Sequence, residues 1–136
     1  MRPFHLAFPV TDLNATRSFY VDVLQCSVGR SSDKWIDFDM FGHQVVAHLV
    51  DSSNHPSTNS VDGDDVPASH FGVILTMDQW NQLHDHLSNF SITFIIKPKI
   101  RFKGETGEQA TMFFLDPSGN ALEFKAFKDD KQIFAT

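Results

Sequence analysis

Ser69-His70-Phe71-Gly72-Val73-Ile74-Leu75-Thr76 restates, sixty-five residues later, the plan of Pro3-Phe4-His5-Leu6-Ala7-Phe8-Pro9-Val10-Thr11. Each stretch is short and apolar and carries one histidine. In each a threonine stands six residues after that histidine, Thr11 or Thr76, with Asp12 or Asp78 close behind. Hydroxyl and carboxylate oxygens accept from the free amides of a first helical turn, so both places read as helix starts. Helix-period apolar stripes follow: Leu13, Phe19, Tyr20, Val23 and Leu24 in the first half; Trp80, Leu83, Leu87 and Phe90 in the second. Three strand-like runs come next each time, around 26–30, 35–40 and 44–50, then 93–96, 110–115 and 121–127, with Gly or Pro-Ser-Gly turns between them. A β-α-β-β-β unit written twice is the simplest account, although the copies share a plan more than they share residues.

Between the copies, Asp51 to Pro67 is polar and rich in Ser, Asn, Asp, Gly and Pro, and reads as loop. The expectation is one α+β domain over 1–136, made of modules at about 1–50 and 68–127 joined by that loop, with 128–136 as a tail. A chain of 136 residues with 41% hydrophobic residues buries about two-thirds of its unfolded surface without a metal or disulfide staple. Metal ligands found in it therefore point to function. A net charge of −6 argues against nucleic acid as a partner, since phosphate binding draws on clustered Lys and Arg. The single Cys26 excludes an internal disulfide and fits a reducing cytoplasm. The opening dozen residues have no apolar signal core, and no apolar run reaches the ~20 residues of a membrane span. A soluble cytoplasmic protein is expected.

Two counts stand out: fourteen Phe against one Tyr and two Trp, and seven His. His5 and His70 occupy equivalent positions of the repeat. The last strand, Asn120-Ala121-Leu122-Glu123-Phe124-Lys125-Ala126-Phe127, sets one acid inside an apolar run. An ionised carboxylate buried alone costs several kcal/mol, so Glu123 needs a partner. Two imidazoles and a carboxylate around a divalent cation would supply one and leave open positions on the metal. Taken singly, each of the three also fits a plainer role, as a hydrogen-bonded strand histidine or a solvent-facing acid.

The segments FHLAFPVTDLNATRSFYVDVLQC (4–26), SHFGVILT (69–76) and FFLDPSGNALEFKAF (113–127) resemble the vicinal oxygen chelate superfamily. That group includes glyoxalase I, extradiol dioxygenases, fosfomycin-resistance transferases and bleomycin-resistance proteins. The closest likeness, through RFKGE (101–105) and the 107–127 stretch, is to small extradiol-dioxygenase-type members. The resemblance implies two β-α-β-β-β modules forming a curved mixed sheet around a cupped metal site. It implies His5, His70 and Glu123 as ligands of a divalent metal, with Fe(II) favoured and Mn(II) or Zn(II) admitted. It also implies a homodimer acting on a small molecule through two adjacent oxygens.

Departures from the family pattern narrow the reaction. Counting four residues from the turn glycines, Gly119 leads to Glu123 but Gly42 leads to Val46, where glyoxalase I places a further acid. Extradiol enzymes often carry a tyrosine hydroxyl ten residues before the ligand Glu, and here that substrate-facing position is Phe113. They also use a histidine on the strand near 42–50 for proton transfer. Gln44, Val46 and His48 share one face there, so His48 is the candidate acid/base, with His43 as the alternative. Ile100-Arg101-Phe102-Lys103-Gly104-Glu105 is the main basic stretch. It reads either as a lid whose Arg101 or Lys103 engages a substrate anion or as a charged surface loop. His84 and His86 point to different helix faces, His55 lies in the long loop, and Asp62-Gly63-Asp64-Asp65 lacks the ligand spacing of a calcium loop. The expected activity is ring-cleaving dioxygenation of a catecholic compound. A lyase, isomerase or thiol transferase at the same metal is the alternative, and a binding module with a vestigial site the alternative from another class.

Overall fold

In the computed structural model, which describes residues 1–52, 58–61 and 63–136, both expected capping positions hold a helix. Asp12 accepts from the Ala15 amide at 2.9 Å and opens α1 (Leu13–Ser18). Thr76 opens α2 (Met77–Leu87) with a reciprocal capping box: the Gln79 amide donates to Thr76 Oγ1 at 3.2 Å, and the Thr76 amide to Gln79 Oε1 at 3.0 Å. Each such cap contributes about 1 kcal/mol. His55 and Asp62 lie outside the described residues.

Two compact units divide the chain, Met1–His55 with Asp116–Asn120, and Pro56–Leu115 with Ala121–Thr136. In the first, β1 (His5–Val10), β2 (Ser27–Ser31), β3 (Trp35–Met40) and β4 (His43–Leu49) form a sheet of order β1-β4-β3-β2. β1 runs parallel to β4, and the other pairs are antiparallel. Alternation along β1 buries Phe8 and Val10 and leaves His5, Ala7 and Pro9 exposed. A wider π-type turn (Phe19–Val23) continues α1 and turns Tyr20 fully inward, where its ring stacks on Phe38 at 5.1 Å and tilts against Phe8 at 5.4 Å. The Tyr20 hydroxyl donates to Asp116 Oδ2 at 3.0 Å. That buried carboxylate also receives the Ser118 and Asn120 amides and the Asn120 side chain, so the Asp-Pro-Ser-Gly-Asn turn is built around one fully satisfied acid. Burial first, and then Asp116, push the Tyr20 phenol well above its ordinary value and keep it a donor.

The second unit repeats the plan. β7 (Phe94–Arg101), β8 (Gln109–Leu115) and β9 (Ala121–Phe127) form an antiparallel sheet in that order. The segment after His70 joins β9 in parallel through Phe71 opposite Leu122 and Ile74 opposite Lys125, as β1 joins β4. It makes two bridges rather than a continuous strand. At Gly72 the two backbones press together so closely that a Cβ would lie 1.6 Å from the Glu123 carbonyl oxygen. α2 packs on β9 through Trp80, whose indole N–H donates to the Phe124 carbonyl at 3.0 Å.

Two elements differ from the sequence reading. Part of the 51–67 stretch is a hairpin, β5 (Thr58–Val61) paired with β6 (Asp64–Pro67), whose polar composition hides its strands. And β7 runs on to Arg101, so Arg101 ends a strand instead of sitting in a mobile lid. Its cost is a register irregularity between Ile96 and Lys99, around Pro98, which has no amide to donate. The tail is tied down: the Gly107 amide donates to Gln132 Oε1 at 2.7 Å, and Lys128 pairs with Glu108 at 3.4 Å. Among the described residues no helix is long and apolar enough to cross a membrane.

Candidate metal centre

Strand alternation places Glu123. Leu122, Phe124 and Ala126 fill one face of β9 completely, so Glu123 and Lys125 emerge half-buried on the other. On the neighbouring strand Phe113 lies opposite Glu123 and Thr111 opposite Lys125. The Thr111 hydroxyl donates to Glu123 Oε1 at 2.7 Å and so commits one carboxylate oxygen. The other, Oε2, stands 3.3 Å from Nε2 of His70.

The state of His70 follows from its second nitrogen. Nδ1 lies 2.6 Å from the Pro67 carbonyl oxygen, which can only accept, so Nδ1 carries a proton. In the neutral ring Nε2 then presents a lone pair directly to a carboxylate lone pair. Two such pairs at 3.3 Å require a proton or a cation between them. Hydrogen bonding to Glu123 raises the His70 pKa above its ordinary value despite burial and the nearby Lys125. Burial works to raise the Glu123 carboxyl, but His70, Thr111 and Lys125 together outweigh it and hold it below its ordinary value. A histidine whose far nitrogen is pinned by a carbonyl, facing a carboxylate pinned by a hydroxyl, is the outer-shell arrangement that orients metal ligands. The donor set therefore fits a divalent cation.

The pair borders two openings of the second unit. One, of about 230 Å3, is lined by His70, Glu123, Phe113, Arg101, Gln109 and Lys125 among others. Another, of about 250 Å3, lies against Gly72, Val73 and Ile74. Phe113 packs T-shaped on His70, with ring centroids 4.8 Å apart, and is 1% exposed, so the wall beside the imidazole is apolar. Arg101 is buried, donating from Nη1 to the Val61 carbonyl at 2.9 Å and lying 3.1 Å from Asp64 Oδ2 through Nη2. Lys103 is exposed in the turn after β7 and acts electrostatically on Glu108. It does not line either opening.

In the first unit His5 is exposed at the start of β1, with Nδ1 2.8 Å from Gln44 Oε1. Its ring, like that of His70, is oriented through Nδ1. His48 is exposed on β4, in register with Pro9 and Trp35. Its alternative, His43, uses Nδ1 to accept the Phe4 amide at 2.9 Å and serves to anchor the chain's first residues. Among the described residues no cluster of three or more His, Cys, Asp and Glu forms a ready metal cage.

The family model of the Glyoxalase/Bleomycin resistance protein/Dioxygenase superfamily matches residues 2–124. The chain belongs to this superfamily. A glyoxalase/bleomycin resistance protein/dioxygenase from Alicyclobacillus acidocaldarius is 33% identical, with a TM-score of 0.83 over 97% of this chain and 96% of that one. The genomically encoded fosfomycin resistance protein FosX from Listeria monocytogenes shares the fold at 17% identity, with a TM-score of 0.69 over 90% and 89%. An integron cassette protein from the V. Cholerae mobile metagenome does so at 21%, with a TM-score of 0.64 over 93% and 94%. No curated protein matches the chain. The superfamily and its α+β fold are thus as the sequence segments implied.

Sequence reasoning missed four contributors to this superfamily member's centre: the Pro67 carbonyl, Thr111, Gly72 and Lys125. Thr111 and Lys125 had a signal, since strand alternation puts them on the face of Phe113 and Glu123. Nothing in the residue pattern pointed to Pro67, which enters through a turn, or to the backbone contact at Gly72.

Proposed function

We propose that this superfamily member is a metal-dependent enzyme in which His5, His70 and Glu123 hold one divalent cation, and that it acts on a small molecule bearing two adjacent oxygens. The observation that carries the proposal is the pair of opposed acceptor atoms, His70 Nε2 and Glu123 Oε2, each part of a side chain anchored through its other polar atom. A bound cation would polarise the two substrate oxygens and stabilise negative charge developing on them. Thr111 and the Pro67 carbonyl keep the ligating atoms aimed, and Phe113 keeps water from one side of His70. His48, on β4, is the proposed acid/base, since an imidazole can both accept and give up a proton.

Within that class, Fe(II)-dependent cleavage of a catecholic ring is the first reaction to test, with Mn(II) and Zn(II) as the other metals. A FosX structure from Listeria monocytogenes, 19% identical, was solved with Mn(II) and sulfate, which recommends Mn(II) as a probe. A lyase, isomerase or thiol-transfer reaction is the second reading. Phe113 favours it, because it brings a bare ring to the place where ring-cleaving relatives often carry a hydroxyl. A homodimer in the cytoplasm is proposed with both readings, in keeping with the single buried Cys26. The deciding experiment is Mn(II) binding by equilibrium dialysis on wild type and on His5→Ala, His70→Ala and Glu123→Gln. One metal per chain, lost in each variant, supports the ligand set; full binding by His70→Ala refutes it. Oxygen uptake by Fe(II)-loaded enzyme over a panel of catechols then separates the readings, and turnover without uptake selects the second.

A further inference from the structure

We propose that the molecule this centre acts on is an anion whose charged group seats between Arg101 and Lys125, inside the opening that His70 and Glu123 border. The proposal rests on the metal-site reading for the identity of the pocket, and adds the substrate's charge class to it.

The chain as a whole is acidic, at −6. The lining of this opening has the reverse balance: Arg101 and Lys125 face a single carboxylate, Glu123, which a divalent cation would more than offset. Arg101 is 3% exposed, an uncommon depth for a guanidinium. Its partners only partly account for it. Nη1 donates to the Val61 carbonyl at 2.9 Å, and Nη2 lies 3.1 Å from Asp64 Oδ2. Asp64 is in turn bonded to Lys99, so one negative charge is shared by two cations. The positive charge at this end of the opening is therefore only partly neutralised, and an oxyanion entering it would offset the remainder.

Lys125 gives the second contact. It stands two residues from Glu123 on the same face of β9 and borders both openings. Gln109, also buried, adds a neutral amide to the wall, while Val61, Val66, Phe102 and Phe113 make the rest apolar. Apolar walls around two cations weaken screening and favour a compact acid over a neutral polyol. The ligand class is therefore a small carboxylate or comparable oxyanion that carries its chelating oxygen pair on the same molecule. Lys103, the other cation expected from the sequence, takes no part in this lining.

Catechol and 3,4-dihydroxybenzoate share the adjacent oxygens and differ by one carboxylate, so together they isolate the charge. Titration calorimetry with Mn(II)-loaded and metal-free wild type is expected to show the acid binding at least about tenfold tighter than catechol. Lys125→Gln, at a partly exposed position, should reduce that preference to below about threefold. Arg101→Lys, confirmed as folded by its melting curve, keeps the charge but loses the fork, and should also reduce the preference. A wild-type preference below about threefold overturns the proposal, as does one that survives in both variants or failure of the acid to bind either form. Failure to bind Mn(II) refutes the metal reading alone, because the acid preference is still measured on the metal-free protein.

Discussion

Replacing Gly72 with alanine should break the backbone contact that sets His70 against Glu123. An ideal Cβ at position 72 would lie 1.6 Å from the Glu123 carbonyl oxygen and 2.6 Å from its carbon. Real Cβ atoms do not approach within 3.0 Å, so the segment and β9 must part by about 1.4 Å. The obstacle is backbone, which has no rotamer to move aside. Such a separation carries the Glu123 amide, now 2.9 Å from the Phe71 carbonyl, out of hydrogen-bonding range, and strains the 3.3 Å bond from the Phe71 amide to Ala121. One hydrogen bond lost and one strained, together with overpacking strain, amount to about 3–5 kcal/mol of stability. Since His70 lies two residues away, its 3.3 Å approach to Glu123 goes with them. Urea unfolding followed by tryptophan fluorescence gives the stability, and Mn(II) dialysis on the remaining folded protein gives the second readout. Gly29→Ala is the control: its Cβ would meet the Asp37 Cβ at 3.3 Å and the Asp37 carbonyl oxygen at 3.7 Å, and a cost of under about 1 kcal/mol is expected. If Gly72→Ala unfolds within about 1 kcal/mol of wild type and binds Mn(II) normally, the backbone contact does not hold the centre together.

Other perturbations test separate parts of the structure. Thr111→Val removes the hydroxyl from Glu123 Oε1 while keeping the side chain's branching, and should weaken Mn(II) binding about 10–100-fold in dialysis with the fold retained by circular dichroism. Asp64 has its carboxyl held below the ordinary 3.8, chiefly by its hydrogen bond to Lys99. A lowered folded-state value stabilises the protein above the unfolded carboxyl pKa and is lost as pH falls through the folded one. The stability difference between wild type and Asp64→Asn, from urea unfolding, should therefore be constant at neutral pH and shrink on acidification below about pH 4. Burial pushes the Cys26 thiol up to about 12, with Asp39 adding to it. At pH 8 the native protein should react with a thiol-labelling disulfide reagent far more slowly than the same protein in urea, as followed by absorbance.

Helix and strand order was legible in the chain for local reasons. Capping residues at Asp12 and Thr76, apolar stripes at Tyr20, Val23 and Leu24 and at Trp80, Leu83 and Leu87, and turn glycines all act over a few residues. Those signals specify elements whatever surrounds them. The 58–67 hairpin was hidden because Thr58-Asn59-Ser60-Val61 has a loop's composition. Arg101 was misread for a related reason. A basic residue next to lysine and glycine is the pattern of a surface turn, and only pairing with Gln109 in β8, together with the Val61 and Asp64 contacts, turns it into a buried strand end.

The candidate centre divides along the same line. His70 and Glu123, which the structure brings within 3.3 Å, stood out in the sequence because a repeat marks equivalent histidines and a lone acid in an apolar strand is conspicuous. Which atoms of His70 and Glu123 are available, and what surrounds them, depended on groups distant in sequence. Thr111 is twelve residues from Glu123 and the Pro67 carbonyl belongs to a turn. The Gly72 contact exists because two backbones meet with no side chain between them. A sequence by itself determines patterns that repeat along one chain, so the β-α-β-β-β plan and the residue types of the centre were in it. Hydrogen-bond partners, the depth of Arg101 and the cationic lining beside Lys125 were decided by tertiary structure, because each is a meeting of atoms that no local spacing encodes.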